Sequence, residues 1–184
     1  MRKLIAAINM SIDGYCDHTA GIPDEEIHNH YTQLLRSADT ILYGRTTYQL
    51  MEDYWPALVA KPSGEKAMDD FAKAIDDIEK VVFSHTLKDV TWRNSRLATQ
   101  ELKDEILQLK QQPGKDFFVG SPGLISQCTN LNLIDEYQLC IHPVVAGSGL
   151  RLFKNVPEMF QLKLLKTKTF ASGAVIHYYA RVAR

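Results

Sequence analysis

Short apolar runs alternate along the chain with longer segments whose apolar residues recur every three or four positions. Runs of this kind predict buried strands, whereas apolar residues at helical spacing predict amphipathic helices. The strands are predicted at residues 4–8, 40–43, 80–83, 96–98 and 117–119. The helices are predicted at residues 45–54 and 65–76 and from near Pro23, Thr99 and Leu124, with a loop at residues 56–64. This alternation indicates an α/β domain with a largely parallel sheet.

The pattern changes in the last third of the chain. Strands are predicted at residues 137–145, 160–167 and 174–182, with no helical segment between them. Successive strands of this kind indicate antiparallel additions at one edge of the sheet. The last of them carries apolar residues on both faces, which predicts an edge strand that needs cover and therefore a homodimer. No linker interrupts the sequence, so we expect a single domain over residues 1–184.

Charge and cysteine content narrow the classes of function. The 184 residues include 21 Lys and Arg against 22 Asp and Glu, a net charge of −1. A chain with no basic excess is not expected to bind nucleic acid or an anionic membrane. No apolar run approaches the roughly 20 residues that span a bilayer. The three cysteines are widely spaced, which argues against a disulfide framework or a metal site and favours the cytoplasm.

Polar turns follow several of the predicted strands. Residues 44–47 and 120–123 each begin with glycine after a strand and lead into a helix, and Ser84-His85-Thr86 follows a third strand. A helix start after such a turn presents backbone N–H groups to an anion, because those groups have no partner within the helix. Each turn taken alone is more often a simple turn or cap. Three donor-bearing turns after successive strands together favour a site for a phosphorylated ligand.

Motifs in a fixed order carry a resemblance that spans the chain. They are Leu4-Ile5-Ala6-Ala7 with Ser11-Ile12-Asp13-Gly14, Gly44-Arg45-Thr46-Thr47-Tyr48, Val81-Val82-Phe83-Ser84, Phe118-Val119-Gly120-Ser121, Leu133-Ile134-Asp135-Glu136-Tyr137 and Pro143-Val144-Val145-Ala146-Gly147-Ser148-Gly149. The chain resembles the dihydrofolate reductase-like superfamily, and most of all the reductase domain of bifunctional riboflavin-biosynthesis deaminase-reductases and its stand-alone relatives. The resemblance implies a three-layer α/β/α fold with a central, mostly parallel sheet and antiparallel C-terminal edge strands.

The resemblance also implies a cofactor, NADPH, and the residues that hold it. The backbone of Ala7 would hold the nicotinamide carboxamide, while Ile12, Asp13 and Gly14 line the far side of the ring. The phosphates would be bound by Gly44, Arg45, Thr46 and Thr47, the 2′-phosphate by Ser84 and His85, and the pyrophosphate by Gly120, Ser121, Pro122, Gly123 and Leu124. The implied reaction is hydride transfer to a small heterocyclic or ribosylamino substrate, as in riboflavin biosynthesis.

Departures from the family pattern keep other functions open. Folate reductases carry a carboxylate on the first helix, where this chain has His28. The candidate catalytic residues are His28 and Asp13. Relatives often have a second glycine in place of Ser121 and an arginine in place of His85. The alternatives are a dihydrofolate reductase that acts on a pterin and a non-catalytic, oligomeric NADP-binding protein. The H-x-E and P-C-x-x-C motifs of the deaminase partner do not occur.

Overall fold

The structure is a computed structural model that describes residues 1–19 and 21–182. These residues form eight strands and five helices. The strands are β1 (Leu4–Ser11), β2 (Ala38–Gly44), β3 (Glu79–Phe83), β4 (Ser95–Leu97), β5 (Asp116–Val119), β6 (Glu136–His142), β7 (Leu162–Thr169) and β8 (Val175–Arg181). The helices are α1 (Glu25–Ser37), α2 (Arg45–Ala60), α3 (Lys66–Asp77), α4 (Leu102–Gln111) and α5 (Pro122–Asn130).

The chain divides into two compact units. The first comprises Met1–Arg2 and Pro23–Phe118, and the second comprises Lys3–Ile22 and Val119–Arg184. The α/β class and the mostly parallel sheet with antiparallel edge strands are confirmed. The single domain over residues 1–184 stays a prediction.

In the first unit, β2 pairs with β3 and β3 pairs with β4, in both cases parallel. The helix α1 begins where the sequence predicts it, because the Asp24 carboxylate caps its first turn by accepting from the Ile27 N–H at 2.8 Å. Both α1 and α2 pack against α3. Ile27 of α1 and Ile75 of α3 are buried in this unit.

The predicted loop at residues 56–64 is wrong for its first five residues, because α2 continues through Pro56 to Ala60. A proline within a helix removes one backbone hydrogen bond and favours a break. Here packing outweighs that preference: the ring of Trp55 lies 4.6 Å from the ring of Phe71 on α3, centroid to centroid. The contact stabilises the turn of helix on either side of Pro56.

In the second unit the strands follow the order β1-β6-β8-β7. The pair β1-β6 is parallel, whereas β6-β8 and β8-β7 are antiparallel. β6 ends at His142, before the predicted end at residue 145, because Pro143 has no N–H group to extend the ladder.

The prediction that the last strand lies at the edge of the sheet is wrong. The last strand, β8, is paired on both sides, and β7 forms the edge with almost every residue exposed. Three lysines on β7 and a bulge between Leu164 and Lys166 are features that protect an exposed edge from further pairing. Because β8 is paired on both sides, it no longer supports the predicted homodimer, which stays a prediction. Within the described residues, no helix is long and apolar enough to span a membrane.

Candidate functional site

In the first unit, two of the predicted phosphate-binding segments follow neighbouring strands. β2 and β3 are parallel and in register, with Gly44 opposite Phe83. Residues 44–47 and Ser84-His85 therefore leave the sheet at the same end, side by side. In parallel sheets this end, beyond the carboxyl termini of the strands, is where ligands bind.

The start of α2 is suited to an anion. Among the described residues, no side chain caps this helix end, and its first turn contains no acidic residue. Arg45 and Thr46 are exposed there and Thr47 is partly exposed, so one charged group and two hydroxyl groups accompany the backbone N–H groups. Gly44 has φ −80°, a conformation open to any residue, so its backbone angles do not require glycine.

The turn after β3 is held by Ser84. Its Oγ accepts hydrogen bonds from the N–H groups of Thr86 at 3.1 Å and Leu87 at 2.9 Å. This is the capping role that a serine in such a turn often has. The side chain of His85 is exposed beside it. The arrangement fixes the turn and leaves the imidazole accessible to a ligand.

In the second unit, the nicotinamide residues predicted from the resemblance lie in β1 and just after it. Ala7 is partly buried in β1, opposite Gln138 of β6. Ile12 is 62% exposed, and its N–H donates to the Val144 carbonyl at 2.9 Å. Gly14 has φ +88°, a left-handed conformation that favours glycine, and this explains the glycine of the motif.

Asp13 anchors a loop of the same unit. Its two carboxylate oxygens accept from the N–H groups of Ala146 at 3.0 Å and Gly147 at 2.7 Å. A hydrogen bond from the Ser11 side chain, together with these N–H groups, lowers the pKa of Asp13 to about 2. Asp13 is therefore ionised at neutral pH, which suits it to holding the loop and makes it a poor proton donor. Its catalytic assignment stays a prediction.

The second candidate catalytic residue, His28, lies in the first unit on α1. Its imidazole is partly buried, and its ring centroid lies 5.9 Å from that of Phe71. Burial lowers the pKa of His28, and the nearby Asp24 and Glu65 oppose the shift. The neutral imidazole is thus favoured at neutral pH. Its role also stays a prediction.

The last predicted segment, residues 120–124, forms the turn into α5 in the second unit. Pro122 occupies the first turn of the helix, where its missing N–H costs nothing. Within the described chain, no side-chain hydrogen bond caps this helix start. Ser121 is 3% exposed, whereas Gly123 is exposed and a Cβ added there would meet nothing within 4 Å. A ligand could therefore approach this turn at Gly123, whereas the side chain of Ser121 is buried.

Two features of the structure were not identified as functional from the sequence. Glu52, on α2, accepts hydrogen bonds from Tyr48 and from residues 91–92. His142, at the end of β6, accepts from the Ile22 N–H through Nδ1 at 3.2 Å, which leaves Nε2–H to donate to Asn9 Oδ1 at 3.0 Å. Of these contacts, only the one between Tyr48 and Glu52 could have been expected from the sequence, because residues four positions apart lie side by side on a helix.

Comparisons with known proteins agree with the fold and the motif order. The family model of the RibD C-terminal domain matches residues 2–176. This chain belongs to the RibD C-terminal domain family. It is 35% identical over 178 residues to the uncharacterized protein YyaP of Bacillus subtilis (strain 168), which covers 95% of this chain and 92% of that one. The family resemblance drawn from the sequence is confirmed.

Solved structures of low sequence identity share the fold. A pyrimidine reductase-like protein from Corynebacterium diphtheriae has a TM-score of 0.72 at 18% identity, over 100% of this chain and 93% of that one. A diaminohydroxyphosphoribosylaminopyrimidine deaminase/5-amino-6-(5-phosphoribosylamino)uracil reductase from Thermotoga maritima has a TM-score of 0.67 at 13% identity. That match covers 98% of this chain and 57% of the Thermotoga chain.

Proposed function

We propose that this RibD C-terminal domain protein is an NADPH-dependent reductase of the riboflavin-biosynthesis type. It would transfer hydride to a small heterocyclic or ribosylamino substrate. The observation that carries the proposal is the first unit's pair of neighbouring strand ends, where the start of α2 with the exposed Arg45 lies beside Ser84-His85. Family membership supports the same chemistry.

The donor set in the first unit fits the phosphate groups of this cofactor. The N–H groups of the α2 start and the hydroxyls of Thr46 and Thr47 are hydrogen-bond donors, and the Arg45 guanidinium adds a positive charge with two parallel donors. The imidazole of His85 is accessible for a further phosphate. The bound cofactor supplies the hydride, while the chain binds and orients the reacting groups.

A binding titration tests the cofactor. NADPH fluorescence should report saturable binding to the wild-type protein. We expect Arg45→Ala to raise the Kd by about tenfold or more, since a hydrogen bond to a charged group contributes about 1.5–3 kcal/mol. Arg36→Ala is the matched control, because Arg36 is exposed at the far end of α1 in the same unit and should leave the Kd unchanged. A wild-type protein that does not bind NADPH would refute the proposal.

Turnover separates the proposed reductase from its alternatives. Oxidation of NADPH with 5-amino-6-(5-phosphoribosylamino)uracil supports the riboflavin-type reaction, and oxidation with dihydrofolate supports a pterin reductase. The partly buried His28 in place of a helix carboxylate makes us expect the first result. Binding of NADPH without oxidation across a panel of pterins and aminopyrimidines would instead favour a non-catalytic binding protein.

A further inference from the structure

Glu52 joins two segments of the first unit through one carboxylate oxygen. Its Oε1 accepts hydrogen bonds from the Tyr48 hydroxyl at 2.8 Å, the Thr91 hydroxyl at 2.7 Å and the Trp92 N–H at 3.0 Å. The Trp92 N–H also lies 3.0 Å from the Tyr48 oxygen. Tyr48 and Trp92 are 1% and 4% exposed, Glu52 is partly exposed and Thr91 is exposed, so the network runs from the interior of the unit to its surface.

The joined residues lie in the same stretches of chain as the proposed phosphate contacts. Tyr48 directly follows Thr46 and Thr47 in the first turns of α2. Thr91 and Trp92 end the stretch of chain that begins with Ser84-His85 after β3. Glu52 therefore fixes the later part of the segment that begins with Ser84-His85, proposed for the 2′-phosphate, against the helix whose start is proposed to bind phosphates.

Trp92 is also held from its other side. The indole Nε1–H donates to Asp76 Oδ1 at 2.6 Å, and Lys80 Nζ lies 4.2 Å from the centroid of the indole ring. The neighbouring Arg93 forms an ion pair with the second oxygen of Asp76 at 3.0 Å. Trp92 is thus held through both its backbone N–H and its indole ring. The end of segment 84–91 therefore has a fixed position relative to α2.

We propose that Glu52 is a positioning residue that sets the preference for NADPH over NADH. The two cofactors differ only in the 2′-phosphate. Contacts to that group depend on the distance between the start of α2 and the turn at Ser84-His85, and small displacements of a positioned group cost substantial affinity. Loss of the Glu52 carboxylate removes two of the bonds that hold residues 91–92 to α2 and leaves the Trp92 N–H with the Tyr48 oxygen alone, while every proposed contact residue stays in place. This inference rests on the proposed function.

The test compares cofactor discrimination with stability. For wild type, Glu52→Ala and Glu52→Gln, the Kd values for NADPH and NADH are measured by fluorescence and the Tm by thermal unfolding. We expect Glu52→Ala to reduce the ratio of the NADH Kd to the NADPH Kd by about tenfold. Glu52→Gln, which keeps an acceptor oxygen, should restore most of the ratio. Thr91→Val removes one donor of the three and should give a smaller reduction with little risk to folding.

Glu105 supplies a matched control. It is 3% exposed, and its Oε2 accepts from the N–H groups of Thr99 and Gln100, both at 3.2 Å. It thus fastens a loop in the same unit, yet that loop carries none of the proposed cofactor residues. We expect Glu105→Ala to lower the Tm and to leave the ratio unchanged.

The outcomes distinguish this inference from the proposed function. A wild-type protein that fails to bind NADPH overturns both. Wild-type binding with an unchanged ratio in Glu52→Ala and Thr91→Val overturns the role of Glu52 alone. An equal fall of the ratio in Glu105→Ala also overturns it, because general loosening of the unit would then account for the effect.

Discussion

Replacing the buried Tyr43 by phenylalanine should stabilise the protein. The side chain is 1% exposed on β2, and its hydroxyl has no hydrogen-bond partner among the described residues. Burial raises the pKa of Tyr43, since the phenolate is even less compatible with this environment than the phenol. Tyr43→Phe keeps the ring and removes only the hydroxyl.

The size of the effect follows from the cost of an unpaired polar group. Leaving a buried donor or acceptor without a partner costs about 1–3 kcal/mol, and Tyr43→Phe removes that cost while the ring keeps its apolar contacts. A gain of about 1 kcal/mol raises the Tm of a chain of this size by about 2–4 °C. The gain should grow as the pH rises above 10.0, because the tyrosine of unfolded wild type ionises there before the buried one does, whereas the phenylalanine variant has no such group to lose stability through.

Tyr48→Phe is the matched control for this substitution. Tyr48 is also 1% exposed in the same unit, but its hydroxyl donates to Glu52 at 2.8 Å and lies 3.0 Å from the Trp92 N–H. Loss of a bond to a carboxylate should cost about 1.5–3 kcal/mol. Thermal and urea unfolding of both variants should therefore give shifts of opposite sign. A Tyr43→Phe protein that is less stable than wild type would refute the reasoning.

Three further predictions concern charge and backbone conformation. Asp13→Asn should speed amide exchange at Ala146 and Gly147 at neutral pH, and the difference from wild type should shrink as the pH falls from 3.8 to about 2, where the wild-type carboxylate takes up its proton. Burial lowers the pKa of Lys80 from 10.5 to about 8, so the unfolded chain binds more protons between these values. The urea midpoint of wild type relative to Lys80→Met should rise over that range, and a flat difference would contradict the assignment. Gly149→Ala should lower the Tm, because φ is +130° there and the new methyl would collide with the Asp17 carboxylate, whereas Gly123→Ala, with open space around it, should be tolerated.

The elements that the sequence predicted well are those whose signals are local. The start of α1 was visible because the cap and the acidic first turn lie within four residues of each other. β1, β2, β3 and β5 were found because each contains a short apolar run that is buried in the sheet, whereas β4 is a partly exposed strand of three residues. The end of α2 was missed because Pro56 is a local signal to stop, whereas the Trp55–Phe71 contact that outweighs it is tertiary.

The order of the strands in the sheet was harder to predict than their positions in the sequence. The sequence showed three consecutive strands after α5, but chain order made β8 the natural edge. In the structure β8 lies between β6 and β7, and the exposed lysines of β7 mark the edge instead. Those lysines were present in the sequence, and three lysines within one short strand are the signal that would have identified the edge.

The candidate site shows the same division between local and distant signals. The turns at residues 44–47 and 84–86 were recognisable because glycine, hydroxyl and basic residues follow apolar strands directly. The bond from the Trp92 N–H to Glu52 spans 40 positions in the chain and has no local trace. A residue that acts by connecting two recognisable segments is therefore the kind that only the folded structure reveals.

The structure also shows how two motifs that are far apart in the sequence, around Asp13 and around Gly147, depend on each other. The Asp13 carboxylate accepts from Ala146 and Gly147, which lie 133 and 134 positions later in the chain. Gly147 has φ +73°, so a side chain there would be strained in the conformation that turns its N–H towards Asp13. The segments around Asp13 and Gly147 therefore form one structural unit that joins the end of β1 to the chain after β6. Either segment without the other would leave a carboxylate or two N–H groups without these partners.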